Sequence, residues 1–81
     1  MSRVSGASDE TGALQRIGSV IRECRRETHL SQEALADAAG IDRSHMGKIE
    51  RGERNVTLLN LIRIAGALGR LPSTLMAQAD L

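Results

Sequence analysis

The sequence predicts an all-α domain of five short helices, and three observations carry that prediction. Apolar residues recur at three- and four-residue steps, with no competing strand signal. The 81 residues contain no Phe, Tyr or Trp, so the core must be built from Leu, Ile, Val, Ala and Met. Strands prefer aromatic and β-branched residues, and the lack of aromatics favours packed helices. Three helix starts also repeat one grammar, a polar cap residue bracketed by two apolar ones.

A chain of this length allows one small domain. Residues 1–10, rich in Ser, Gly and charge, read as a flexible arm, and residues 11–81 as the folded unit. Leu14, Ile17, Ile21 and Cys24 form one stripe of a first helix over about 12–28. Ser31 caps a second helix over about 32–39, bracketed by Leu30 and Leu35. Asp42, between Ile41 and Met46, caps a third over about 43–51. Thr57, between Val56 and Leu61, caps a fourth over about 58–68. In each, a side-chain oxygen meets otherwise orphaned N–H groups, and a hydrophobic staple sets the angle at which the chain enters the helix. Gly40, Gly52 and Gly69 stand just past the second, third and fourth helices, where a left-handed residue closes the end. Pro72 suits the first turn of a fifth helix over about 72–78, which carries Leu75 and Met76 and has Leu71 where a polar cap is expected. The second and third helices, joined by a short turn containing Gly40, make a helix-turn-helix unit.

Composition narrows the function classes. A single cysteine, Cys24, excludes an internal disulfide, and it reads as a small buried or half-buried helix residue. No apolar run approaches the roughly 18 residues of a membrane span. The opening MSRVSGASDE has no signal-peptide core, so a cytoplasmic protein without membrane contact is expected. His29 and His45 sit with different elements, no Cys/His cluster has metal-ligand spacing, and no glycine-rich loop follows a strand. An enzyme is therefore not expected, nor a cofactor. With no second domain to hold one, no small-molecule ligand is expected either.

Net charge is only +1, but it is unevenly placed. Residues 41–70 hold Arg43, Lys48, Arg51, Arg54, Arg63 and Arg70 against Asp42, Glu50 and Glu53, a local excess of +3. That pattern suggests a localised anionic partner. In the third helix Met46 and Ile49 define a narrow buried stripe. The opposite face carries Ser44, Gly47, Lys48 and Arg51, with Arg43 and His45 on its flanks. Gly47 costs about 1 kcal/mol of helix propensity relative to Ala. Its place on that face suggests close approach to another surface, such as the major groove of DNA, where Arg and Lys can pair with guanine.

Three strings then carry a family resemblance: Leu30-Ser31-Gln32-Glu33-Ala34-Leu35-Ala36, Ala39-Gly40-Ile41-Asp42-Arg43-Ser44 and Ile49-Glu50-Arg51-Gly52. With them the chain resembles the Xre/Cro family of bacterial and phage helix-turn-helix regulators. The run from Arg54 to Ala65 is similar to the subgroup of restriction–modification controller proteins. The resemblance implies a compact five-helix lambda-repressor-like DNA-binding domain. It implies a transcriptional regulator that binds an inverted repeat in double-stranded DNA as a homodimer. By similarity, Gln32 holds a phosphate; Arg43, Ser44, His45 and Lys48 occupy base-reading or groove-facing positions; Arg51, Arg54, Asn55 and Asn60 match backbone or groove-edge positions. Arg25 and Glu50 match a structural pair joining the first helix to the end of the third. The chain departs from the family at His45, Gly47 and Leu71, so no base preference is carried over. The rival class is an antitoxin or protein-interaction module on the same fold; an acidic or apolar outer face on the third helix would favour it.

The apolar surplus of the last two helices offers a place to dimerise. Leu61, Ile64, Leu71 and Leu75 are the expected interface residues.

Overall fold

The computed structural model describes residues 9–81, and the arm's residues 1–8 lie outside it. Five helices follow in order: α1 (Ala13–Glu27), α2 (Gln32–Ala39), α3 (Arg43–Glu50), α4 (Leu58–Ala67) and α5 (Pro72–Gln78). Each lies within a residue of its expected bounds. α1 packs on α3 and α5, α2 on α3 and α4, and α4 on α5.

The three caps form as their sequence predicts. Ser31 Oγ accepts from the Ala34 N–H at 3.0 Å, Asp42 Oδ2 from that of Ser44 at 3.1 Å, and Thr57 Oγ1 from that of Asn60 at 3.1 Å. Their apolar brackets close as staples: Leu35, Met46 and Leu61 are buried, with Leu30, Ile41 and Val56 packed against the same core. α1 is capped differently. Asp9, placed with the arm by composition, accepts from the Leu14 N–H at 2.7 Å. That bond and one from the Thr11 hydroxyl hold its carboxyl below the usual carboxylate range.

All five helices end in one motif, a 6→1 backbone bond closed over a left-handed residue. At α2 the Ile41 N–H reaches Ala36 O at 2.9 Å over Gly40, and at α3 the Glu53 N–H reaches Lys48 O at 2.9 Å over Gly52. α4 does the same over Gly69. At α1 and α5 the left-handed residues are His29 (φ 59°) and Asp80 (φ 61°), which no glycine announces in the sequence.

The core is aliphatic, centred on Ile21, Leu35, Met46, Ile49, Ile64 and Leu75. This corrects the expected dimer interface. Leu61, Ile64 and Leu75 are 6%, 0% and 0% exposed, and only Leu71, at 67%, faces solvent. A small domain has few apolar residues to spare, and α2 and α5 close over that side of α4. Among the described residues, the large apolar side chains left outside are Leu58, Leu59, Ile62, Leu71 and Leu81.

Cys24 is buried, as expected. Its sulfur accepts from Arg70 Nη1 at 2.9 Å and lies 3.4 Å from Gln78 Oε1. Burial pushes the thiol pKa up, against the opposing pull of Arg70.

Candidate nucleic-acid interface

α3 is held by its core side and by its C-terminal end. Met46 and Ile49 are buried, and Glu50 is only 6% exposed. Arg25 of α1 meets Glu50 bidentately, Nε to Oε2 at 2.7 Å and Nη2 to Oε1 at 3.0 Å, while its Nη1 donates to Leu30 O at 3.0 Å. The fork thus ties α1 to the end of α3 and to the start of α2. Its hydrogen bonds to Glu50 hold the Arg25 guanidinium more firmly protonated than usual. Among the described residues no buried side-chain polar atom lacks a partner.

The N-terminal half of α3 is the exposed half. Arg43 and Ser44 stand in solvent, and His45 and Lys48 are half-buried beside them. Arg43 touches Glu33 of α2 at 3.5 Å, with both side chains more than 60% exposed. Such a pair is worth little and yields readily to a stronger anion. The Ser44 hydroxyl donates to Asp42, the same carboxylate that caps the helix. That bond, with those from the backbone N–H groups of His45 and Ser44, lowers the Asp42 pKa. Ser44 keeps its lone pairs free to accept from a base edge.

Gln32 opens α2 and turns back to Glu50, donating from Nε2 to Oε1 at 3.2 Å. Arg51, just past α3, pairs with Glu53 through an exposed contact of 2.6 Å. Gln32 and Arg51 meet at a cleft of about 170 Å³ that is also lined by Arg22, Arg25 and Glu50. Arg54 and Asn55 occupy the exposed loop before α4, and Asn60 is half-buried in the first turn of α4.

Two placements differ from the sequence reading. Gly47 is not bare to solvent: it lies buried, with the Gln32 and Arg51 side chains over it. Arg22, which is not among the expected site residues, lines the cationic cleft. Its position, three before Arg25 on α1, was the available signal, but only the packing of α1 on α3 gives it meaning.

Two short helices joined by a glycine turn, with the second presenting Arg43, Ser44 and Lys48, define a helix-turn-helix DNA-binding regulator. The described residues contain no group of three His, Cys, Asp or Glu placed to hold a metal. None of their helices is long and apolar enough to cross a membrane.

The chain belongs to the helix-turn-helix family, whose profile matches residues 21–75. It is 43% identical over 61 residues to control protein C.SmaI of Serratia marcescens, covering 75% of this chain and 73% of that one. Control protein C.MunI of a Mycoplasma species is 39% identical over 66 residues, 80% of this chain and 89% of its own length. The crystal structure of the restriction–modification controller protein C.AhdI from Aeromonas hydrophila superposes with a TM-score of 0.75 at 47% identity, covering 76% of this chain and 94% of that one.

Proposed function

We propose that this regulator is a cytoplasmic restriction–modification controller that binds an inverted-repeat operator as a homodimer. The observation that carries the reading is the exposed start of α3, where Arg43 and Ser44 stand clear of the fold beside the Gln32–Arg51 cleft. Base edges are within reach of the first turns of a recognition helix, and phosphate contacts fix its register. In this reading Arg43, Ser44, His45 and Lys48 face the groove, while Gln32, Arg51, Arg54, Asn55 and Asn60 meet the backbone or the groove edge. The likeness to the control proteins supports the regulatory role.

The test is binding to duplex fragments from the promoters of neighbouring genes. Arg43→Ala should cost roughly 1–3 kcal/mol of specific binding and relax preference at one position in each half-site. Arg54→Ala should weaken all sequences alike and reduce the magnitude of the salt slope by about one unit. A uniform loss for Arg43→Ala would make Arg43 a phosphate contact. No binding by the wild type to any duplex would remove the proposal.

One recognition helix reads too few base pairs to select a site in a genome, and two copies about one helical turn apart double the readout. The exposed Leu58, Leu59, Ile62 and Leu71 are the side chains available for pairing, in place of the three that the core buries. Sedimentation at micromolar concentration is expected to give about twice 8.7 kDa. Leu71→Glu should halve that mass with helical circular dichroism retained. A wild-type monomer at every concentration would refute pairing.

A further inference from the structure

Gly47 leaves a gap on α3 that two side chains from outside the helix fill. A Cβ built at Gly47 would lie 3.1 Å from Arg51 Nη1 and 3.3 Å from Gln32 Oε1. Both distances are inside ordinary van der Waals contact, and both belong to the ends of flexible side chains. A Cβ at position 47 would therefore require the Gln32 and Arg51 side chains to give way by a few tenths of an ångström.

Gln32 is fixed from the other direction by Glu50, and Glu50 is fixed by Arg25. The amide is thus seated between a neutralised carboxylate and bare helix backbone, with Oε1 turned towards position 47. The cleft beside it is lined by three guanidinium groups, Arg22, Arg25 and Arg51, against the single carboxylate of Glu50, an excess of +2. Arg25 is committed to Glu50. Arg51 is held only by an exposed pair with Glu53, which an anion can displace. Arg22 is exposed at the rim of the cleft.

We propose that this cleft seats one backbone phosphate, that Arg22 contacts it together with Gln32 and Arg51, and that Gly47 is the positioning residue that lets those two side chains converge. The proposal rests on the DNA-binding reading above. It gives the glycine a role in binding rather than in folding: Ala at position 47 would be the better helix former.

The experiment uses the full chain and a duplex selected by the wild-type protein from a random-sequence pool, titrated over a range of salt. Gly47→Ala is expected to melt at or above the wild-type temperature, yet to bind on the order of tenfold more weakly, as for one lost charge-assisted hydrogen bond. The magnitude of its salt slope should also fall. Arg22→Gln should reduce that magnitude by about one unit. Because Gly47 acts through Gln32 and Arg51, adding Gly47→Ala to the Arg51→Ala variant should cost less affinity than Gly47→Ala costs alone. Wild-type affinity and slope in Gly47→Ala, or fully additive losses in the pair, would overturn the role of Gly47. An unchanged slope in Arg22→Gln would overturn the cleft as a phosphate seat, and as an exposed substitution it decides that point even if the Ala variant unfolds. If the wild type selects no duplex from the pool, the DNA-binding reading itself fails, which is a different result from a variant that binds as the wild type does.

Discussion

Glu50→Ala is expected to cost about 3–5 kcal/mol of stability, the usual result of removing one partner of a buried ion pair. The Glu50 side chain is 3% exposed and that of Arg25 13%, so truncation leaves a guanidinium with little water and one remaining carbonyl partner, Leu30 O. A domain of this size holds a total stability of only about 4–12 kcal/mol, so the loss is a large share. The loss also removes the fork that joins α1 to α3 and the acceptor that seats Gln32. Urea denaturation should show the midpoint falling sharply with little change in slope. Replacing both partners by apolar residues of similar volume should recover much of the stability while still impairing DNA binding, because Gln32 has then lost its anchor. A loss under about 1 kcal/mol in Glu50→Ala would mean that the pair is solvated in solution.

Gly18→Ala is the second large effect, and its sign opposes helix propensity. Gly18 lies inside α1, where Ala is favoured by about 1 kcal/mol. A Cβ there would sit 2.5 Å from Ile49 O, 2.6 Å from Glu50 O and 2.9 Å from Glu50 C. All three are backbone atoms of α3, so no side chain can swing aside. The two helices would have to separate, disturbing the packing of Ile17 and Ile21 and the Arg25–Glu50 fork. The expected cost is about 1–3 kcal/mol or more, as for an overpacked core. Gly66→Ala is the matched control: Gly66 also lies within a helix, but a Cβ there meets nothing within 4 Å. It should stabilise by up to about 1 kcal/mol. Equal melting shifts in the two variants would show that the α1–α3 crossing is not the constraint.

Much of the fold was legible because its boundaries are local. A cap oxygen at Ser31, Asp42 or Thr57 reaches N–H groups two or three residues away, and a staple joins residues five apart, so the signals lie within one short window of sequence. The left-handed closing residues His29 and Asp80 escaped for the complementary reason: no glycine marks them. Asp9 escaped because its neighbours have the composition of an arm, while its carboxylate reaches forward to Leu14.

The sequence by itself determined five helices, the helix-turn-helix and the side of α3 that carries cations, because periodicity and capping depend on neighbours along the chain. Tertiary structure alone decided which apolar side of α4 and α5 is core. Leu61, Ile64 and Leu75 serve the monomer, and Leu58, Leu59 and Leu71 remain outside. An apolar surplus in a helix does not say which neighbour will cover it. Packing likewise brought Arg22 to Gln32 and Arg51, and assigned different reasons to two helical glycines, Gly18 under the backbone of α3 and Gly47 under two mobile side chains. These contacts join residues far apart in the chain, and their distances are set by how closely helices cross, a quantity that no local pattern encodes.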